Sequence, residues 1–152
     1  MIEIQTNPSL ENSFDKTLLE YAAHAALTHQ STPKDATLSI LLTDDAQIQA
    51  LNRDYLGFDK PTDVLSFDVH ERDPETGYLY LGEIIISVPY AAKQAAENQH
   101  PLESEIQLLV VHGVLHLLGH DHSETEEKAK MWAAQDEILA QLGLGKIKFT
   151  EI

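Results

Sequence analysis

The sequence contains no cysteine, so the chain can form neither a disulfide bond nor a thiolate metal site. Any metal ion that it binds must be held by nitrogen or oxygen ligands. Aromatic residues are scarce as well, at 7% of the chain, whereas hydrophobic residues make up 43%, and this balance predicts an aliphatic core. A chain of 152 residues is close to the size of one ordinary domain, so we expect a single domain over residues 1–152.

Long apolar runs are also missing. The first residues, MIEIQTNPSL, carry neither a basic start nor an apolar stretch of signal-peptide length. No later segment approaches the roughly 18 apolar residues that a membrane helix needs. These absences predict a soluble, cytoplasmic protein with no membrane association.

Basic residues are few. Ten lysines and arginines face 25 aspartates and glutamates, the formal net charge is −15, and the arginines are only Arg53 and Arg72. A field of this sign repels phosphate groups at long range, and no run of basic residues offsets it. The composition therefore argues against strong autonomous binding of RNA or DNA.

Hydrophobic periodicity predicts strands that alternate with helices in the first half of the chain and a mainly helical second half. The predicted strands are 2–4, 36–43, 64–69 and 80–87, and the predicted helices are 14–27, 46–56, 88–99 and 102–118. Helix 102–118 is apolar on nearly all sides from Ile106 onward, so we expect it to cross the core. A last amphipathic helix should follow a capping box formed by Ser123 and Glu126. The alternating KIKF at 146–149 is either an edge strand or a loose tail.

The segment HGVLHLLGHDH, residues 112–122, holds four of the eight histidines. His112 and His116 are four positions apart, which places both imidazoles on one face of a helix, about 5–6 Å apart. Gly119 can adopt the left-handed conformation that ends a helix, and the reversal would bring His122 back toward them. Three neutral imidazoles leave a fourth tetrahedral position for water, as in a catalytic zinc site. The spacing predicts one Zn²⁺ at the end of the buried helix, with the zinc-bound water, whose pKa falls to about 7, as nucleophile.

A simpler interpretation is that these histidines are polar residues at a helix end, where imidazolium groups face the helix dipole favourably. That would account for one histidine, but not for three in ligand register followed by a glycine. His120 lies between the ligand positions and is expected to face solvent or a groove. No role is assigned to the remaining histidines, His24, His29, His70 and His100.

The same spacing occurs in the HExxHxxGxxH motif of metzincin proteases, in which a glutamate after the first histidine takes the proton from the metal-bound water. Here that position is Gly113. Peptide hydrolysis by this mechanism therefore lacks its base. A methionine turn is not evident either, because the only methionine after the first is Met131, inside a predicted helix.

The histidine segment, together with PTDVLSF at 61–67 and LGEIIIS at 81–87, closely resembles the YbeY family of bacterial metal-dependent endoribonucleases that take part in ribosomal RNA maturation. The resemblance extends to LNRDY at 51–55 and to the order and spacing of the loop, both strands and the final helices. It implies zinc on the three histidines named above, an α+β fold related to the zincins, and single-stranded RNA as substrate.

The expected fold is a single α+β domain in which a small mixed β-sheet packs with helices and the metal site lies at the end of the central buried helix. The expected activity is that of a zinc-dependent, single-strand-specific endoribonuclease in ribosomal RNA processing, ribosome biogenesis and ribosome quality control. The expected partners are ribosomal RNA and the small ribosomal subunit or a ribosome-associated protein.

The sequence departs from the family pattern at Leu56, where relatives usually carry an arginine that is thought to face the active site and help with the phosphate. Arg53 lies about one helical turn earlier and could supply a guanidinium, although a solvated helix residue is the simpler interpretation. The loss of the arginine bears on the efficiency of cleavage more than on the metal site. At His120 many relatives have a tyrosine, and either side chain could stack on a base.

Three carboxylates lie in or near these motifs. Asp121 neighbours the predicted ligands and could accept the second ring proton of a ligand histidine, take a proton from the water, or begin the cap of the next helix. Asp63 opens a strand near the groove and is otherwise explained by a turn that bonds its own backbone. Glu83 alternates with Ile84 and so faces away from that side of the core. The catalytic base is therefore not identified.

Three functions are compatible with these features. The first is hydrolysis of RNA phosphodiesters with zinc, by an acidic enzyme that reaches its substrate on the ribosome or through a protein partner. The second is a metallopeptidase or other hydrolase without the usual glutamate base. The third is a zinc-stabilised adaptor of ribosome assembly with little or no turnover, which the leucine at position 56 makes more plausible.

Overall fold

The computed structural model describes residues 2–10 and 15–145, and within them the chain forms four strands and five helices. In chain order the elements are β1 (Ile2–Thr6), α1 (Lys16–His29), β2 (Ala36–Thr43), α2 (Asp45–Leu56), β3 (Val64–Arg72), β4 (Leu79–Ser87), α3 (Val88–Glu97), α4 (Leu102–Leu117) and α5 (Thr125–Gln141). Each predicted strand and helix is present with small differences at its ends. The tail KIKF lies outside the described residues.

The strands form one mixed sheet in the order β1-β2-β4-β3. β1, β2 and β4 run parallel, whereas β3 is antiparallel to β4 and lies at the edge of the sheet. Successive residues of a strand point to opposite faces, so Leu38 and Ile40 of β2 enter the main core while Leu41 faces the other side. This arrangement confirms the expected α+β domain with a small mixed sheet packed with helices.

Helices cover the two faces of the sheet unequally. Residues of α1, α3, α4 and α5 form the main core with one face. α2 packs on the opposite face, where Ile48 clusters with Leu65 of β3 and Ile85 of β4. The histidine segment 112–122 therefore belongs to the more heavily covered side, whereas α2 lies on the other face.

Helix α4 lies at the centre of the main core. All its residues from Glu105 to Leu115 are buried, and it contacts α1, α3, α5 and the strands β3 and β4. The prediction that this helix crosses the core is confirmed. Because burial of one large aliphatic side chain contributes about 1.5–3 kcal/mol, α4 is a main source of stability. Over the part of the chain that is described, neither α4 nor another helix is long and apolar enough to cross a membrane.

The start of α5 differs from the prediction. The sequence predicts a capping box of Ser123 and Glu126, but the cap residue is Glu124 and its side chain makes no capping hydrogen bond. The hydroxyl of Ser123 donates instead to Oδ2 of Asp121, at 2.8 Å. The capping-box prediction is therefore wrong, because the nearby carboxylate takes the serine hydroxyl.

Gly113 stands where α4 meets the sheet. A Cβ atom at this position would lie 2.8 Å from Cγ2 of Ile84 and 3.1 Å from its Cδ1, which is too close for carbon atoms. The glycine thus lets α4 lie directly on β4. A glutamate here would place its first side-chain carbon against the sheet, which gives a physical reason for the absence of the metzincin base.

Gly113→Ala should destabilise the protein by about 1–3 kcal/mol, because the added methyl group overpacks against Ile84. The direction of the change in the free energy of unfolding is informative. Helix propensity alone would make alanine more stabilising than glycine by about 1 kcal/mol, so a loss of stability points to the contact with Ile84. Urea denaturation of the wild type, Gly113→Ala, Ile84→Ala and the double variant measures the coupling. The double variant should lose less stability than the two single variants together, and additive losses would contradict the contact.

Candidate metal centre

The end of α4 and the turn after it bring three imidazoles together. His112 and His116 lie on α4, and His122 lies beyond its end. One nitrogen of each ring lies within 4.8 Å of the other two, and the Nε2 atoms of His112 and His116 are 3.1 Å apart. His112 is only 1% exposed, whereas the other two rings are partly exposed. The structure thus gathers the three residues that the spacing predicts as ligands.

A glycine turn carries His122 back toward the helix. Gly119 has a φ of +95°, in the left-handed region that favours glycine. Its N–H donates to the carbonyl of His116 at 3.0 Å, and the N–H of His120 donates to the carbonyl of Leu115 at 3.0 Å. These two bonds form a Schellman motif, which ends a helix and reverses the chain. The conformation predicted for Gly119 is confirmed.

Asp121 holds the backbone of this turn. Its Oδ1 accepts the N–H groups of His122 at 2.7 Å and Ser123 at 3.3 Å. The hydrogen bond from the Ser123 hydroxyl, with those from the backbone, lowers the pKa of this exposed carboxyl below its usual value. Asp121 therefore acts on the backbone of the turn. Its carboxylate accepts the N–H of His122 and does not hydrogen-bond an imidazole ring of the three histidines.

A buried glutamine orients the first histidine. Oε1 of Gln135, on α5, lies 3.0 Å from Nδ1 of His112, so the ring donates its Nδ1 proton there and leaves the Nε2 lone pair free. Trp132 of the same helix stacks on His122, with centroids 5.8 Å apart and an interplanar angle of 24°. Neither residue was predicted from the sequence. A signal existed for Gln135, because it is the polar member of the buried face of α5 between Ala134 and Ile138.

Burial keeps the rings of His112 and His116 neutral. Desolvation, followed by the positive charge that His116 would carry, lowers the pKa of His112 to about 3. Desolvation and then the neighbouring His122 also lower the pKa of His116. Neutral imidazole is the form that binds a metal ion, so the site is prepared for a ligand role at neutral pH.

The stability of the metal-free protein should fall as the pH drops from about 6.5, the pKa of histidine in an unfolded chain, toward the folded pKa of His112 near 3. In this window the unfolded chain binds protons that the folded chain excludes, so stability is greatest above it. Urea denaturation between about pH 7 and pH 4 measures the slope. His112→Gln should flatten it and the exposed His24→Ala should not; equal slopes would contradict a buried neutral His112.

The nitrogen geometry fits a single metal ion. Two nitrogens bound to one zinc-like ion at about 2.0–2.1 Å in a tetrahedral site lie roughly 3.3 Å apart. The Nε2 atoms of His112 and His116 are close to this separation, at 3.1 Å. His112 presents a lone pair there because its other nitrogen donates to Gln135. The donor set of three neutral nitrogens suits zinc, nickel or copper.

Gln135→Met should weaken metal binding about 10–100-fold, because methionine keeps the volume of the buried side chain but cannot accept the proton of His112. The matched control is Gln141→Met, at an exposed position on the same helix. Competition with a chromophoric chelator measures both affinities. Unchanged affinity in folded Gln135→Met would show that the glutamine does not support the ligand.

The imidazoles face an open cleft of about 280 Å³. Besides the three histidines, its lining consists of Leu56, Val64, Leu65, Ser66, Asp68 and Leu117. Ser66 and Asp68 were not among the site residues predicted from the sequence. Their two-residue spacing along β3 was the available signal, since it places both on the face that β3 turns toward α4.

Arg53 is not part of this lining among the described residues. Its Nε lies 3.0 Å from Oδ1 of Asp54, and its Nη1 lies 3.9 Å from Oδ1 of Asp59. The hypothesis that Arg53 supplies the missing guanidinium is therefore not supported, because local carboxylates hold its side chain outside the cleft. Leu56, the position at which the expected family pattern has an arginine, lies in the cleft wall.

Two histidines without a predicted ligand role form hydrogen bonds next to the site, at the end of α4 and in the turn after it. Nε2 of His70 lies 2.6 Å from the carbonyl oxygen of Leu117 and donates to it at the end of α4. Nε2 of His120 lies 2.7 Å from Oε1 of Gln30, whose amide in turn lies 2.8 Å from Nδ1 of His29. His120 thus ties the glycine turn to α1.

Asp63 and Glu83 lie apart from the imidazoles. Asp63 is buried, and its carboxylate accepts the N–H of Val64 at 2.7 Å and the side-chain amide of Gln94 at 3.1 Å. Burial raises its pKa. Glu83 lies beside Leu51 and Ile85 on the α2 face, which agrees with the prediction that it faces away from the main core. Neither residue lines the cleft.

The sequence matches the family described as Endoribonuclease YbeY over residues 1–143. Proteins named Endoribonuclease YbeY from Persephonella marina and Roseiflexus sp. are 44% and 42% identical over 133 and 151 residues, covering 87% and 95% of this chain and 86% and 94% of theirs. The solution structure of TM1509 from Thermotoga maritima superposes with a TM-score of 0.60 at 26% identity, covering 96% of this chain and 94% of that one.

Proposed function

The chain belongs to the YbeY family of endoribonucleases, and from this membership we propose that it is a zinc-dependent enzyme that cleaves single-stranded RNA in the maturation and quality control of ribosomal RNA. One observation carries the proposal. Three imidazoles converge in an open cleft, within a chain that aligns over most of its length with proteins named for endoribonuclease activity. The site combines three nitrogens that could hold a metal ion with a cleft that is open to the surface.

The proposed ligands of one Zn²⁺ are His112, His116 and His122. Their nitrogens lie within 4.8 Å of one another, and three protein ligands leave a coordination position open, as catalytic zinc sites do. When bound, zinc would supply a positive charge that polarises the phosphodiester and helps to generate a nucleophile from water. The remaining contributions come from the protein.

The protein residues hold the ligands and shape the cleft. Gln135 fixes the tautomer of His112, Trp132 packs against His122, and Asp121 fixes the backbone of that histidine. Asp68 provides the carboxylate in the described lining of the cleft, and Ser66 provides a hydroxyl beside it. A carboxylate in this place can accept a proton from a reacting group, a role that Gly113 cannot fill.

The peptidase alternative has little structural support. In metzincins the base projects from the residue after the first histidine, whereas here a side chain at Gly113 would meet Ile84 at 2.8 Å. A phosphodiester substrate is consistent with the family. We therefore favour RNA over peptide as the substrate.

The net negative charge of the chain affects how it can bind its RNA substrate. The formal net charge is −15, and both Arg53 and Arg72 pair with aspartates of the chain itself. Electrostatic attraction therefore contributes little to capture of free RNA. We propose that the enzyme meets its substrate in the cytoplasm on a ribosomal particle, through the small subunit or a ribosome-associated protein.

Purified wild type should contain about one zinc ion per chain and cleave a single-stranded RNA, because three neutral imidazoles hold the ion. His116→Ala should lose both the metal and the cleavage, while the control His24→Ala, at an exposed position on α1, should keep both. Elemental analysis and gel-resolved cleavage products are the measurements.

Leu56→Arg separates the enzyme from the assembly adaptor. If the wild type holds zinc but cleaves no RNA, and Leu56→Arg gains cleavage, the natural chain is a zinc-stabilised adaptor rather than a nuclease. Cleavage by the wild type that depends on His116 excludes the adaptor without turnover. Peptide hydrolysis that is lost in His116→Ala would restore the peptidase.

A further inference from the structure

Three large apolar side chains are exposed at the end of α2 and in the loop that follows it. Tyr55, Leu56 and Phe58 are 71%, 50% and 58% exposed, and they are referred to together as the aromatic patch. Single exposed apolar residues are ordinary on a protein surface, whereas a group of large ones marks a binding site. Neither Tyr55 nor Phe58 has a role in the function proposed above.

The aromatic patch is continuous with the candidate metal centre. Leu56 lines the same cleft as His116 and His122. The ring of Tyr55 packs edge-on against Phe67 of β3, with centroids 5.6 Å apart and an interplanar angle of 63°. Phe67 lies with Leu65 on the α2 face of the sheet, and Leu65 also lines the cleft, so the patch adjoins the cleft around the edge strand β3.

The loop that carries Phe58 is held in place by α2. Gly57 ends the helix with a φ of +81°, and the N–H of Phe58 donates to the carbonyl of Asn52 at 3.3 Å. The buried side-chain amide of Asn52 donates to the carbonyl of Lys60 at 3.0 Å. Preorganised rings lose little conformational entropy when they bind a partner.

The chemistry of the patch suits a nucleobase and its phosphate. Nζ of Lys60 lies 5.7 Å from the centre of the Phe58 ring, so a cation stands beside an exposed aromatic face. Sites for single-stranded nucleic acid use this combination, with rings that stack on bases and cations that face the backbone. Because Arg53 and Arg72 pair with aspartates, the patch combines stacking with the charge of Lys60 rather than with a guanidinium.

We propose that the aromatic patch binds the bases that flank the phosphodiester in the cleft, with Tyr55 and Phe58 as stacking surfaces and Leu56 as the apolar wall between them and the metal centre. The inference rests on the proposed function, since a strand whose phosphate enters the cleft must lay its neighbouring nucleotides along the walls. It also provides a basis for strand selectivity, because bases paired in a duplex do not offer free faces to side chains.

The test uses the zinc-loaded protein and a short fluorescent single-stranded RNA of defined sequence. Tyr55→Leu and Phe58→Leu keep apolar volume but remove the aromatic face, and the control Tyr21→Leu removes a ring that is 65% exposed on α1. Each patch variant should lower kcat/KM at least about fivefold, mainly through KM, with zinc content unchanged. Tyr21→Leu should match the wild type.

A second RNA that lacks the bases on both sides of the cut site distinguishes stacking from a structural effect. The wild type should cleave it with reduced kcat/KM, and the patch variants should reduce that value no further. Equal kcat/KM of wild type and patch variants on the intact RNA would overturn the inference and leave the proposed function standing. If the patch variants lose as much kcat/KM relative to the wild type on the RNA without bases, the inference is also overturned.

Fluorescence anisotropy of the same RNA keeps the two proposals distinguishable. If the wild type cleaves nothing, the proposed function fails, and RNA binding that weakens in the patch variants but not in Tyr21→Leu still supports base binding. If the wild type, the patch variants and Tyr21→Leu bind the RNA with equal affinity, the inference is overturned. If the variants bind RNA normally but no longer associate with ribosomal particles, the patch docks a protein and the inference is wrong.

Discussion

The burial of α4 on all sides is the constraint on which the rest of the structure depends. Its residues from Glu105 to Leu115 cannot face water, so the sheet and the helices α1, α3 and α5 must surround it. The buried helix ends at the surface, where its last carbonyl groups need partners. The Gly119 turn and the ring of His70 supply them, and this ending places the histidines at the mouth of the cleft.

The same burial shapes the chemistry of the histidines. Imidazole removed from water loses its tendency to carry a proton, so the pKa of His112 falls to about 3 and the ring stays neutral. A neutral ring has one proton to donate, and the buried Gln135 accepts it. The orientation and neutral form of His112 thus result from packing on α5 as much as from the histidine itself.

The negative charge of the chain opposes the binding of RNA, which is also negatively charged. A net charge of −15 disfavours RNA, yet the family acts on RNA. In this chain the cleft wall is apolar at Leu56, and exposed aromatic rings lie at the neighbouring positions 55 and 58. Stacking is less sensitive to net charge than phosphate contacts are, so an acidic chain can use it where a guanidinium is missing.

The periodic elements and the grouping of three histidines were readable from the sequence because they depend on local spacing. A two-residue period specifies strands, an apolar run at helical length specifies α4, and a four-residue interval followed by a glycine specifies the turn that returns His122. Ser123 shows the limit of local patterns, since a competing carboxylate at Asp121 changed its hydrogen bond.

By itself, the sequence determined the elements, the three candidate metal ligands and the absence of a glutamate beside the first histidine. Only the tertiary structure decided that Gly113 lies against Ile84, that Gln135 supports His112, that Asp68 and Leu56 share the cleft, and that Arg53 lies outside it. The physical reason is that these contacts join residues far apart in the chain. Their distances depend on how the helices pack on the sheet, which no local spacing specifies.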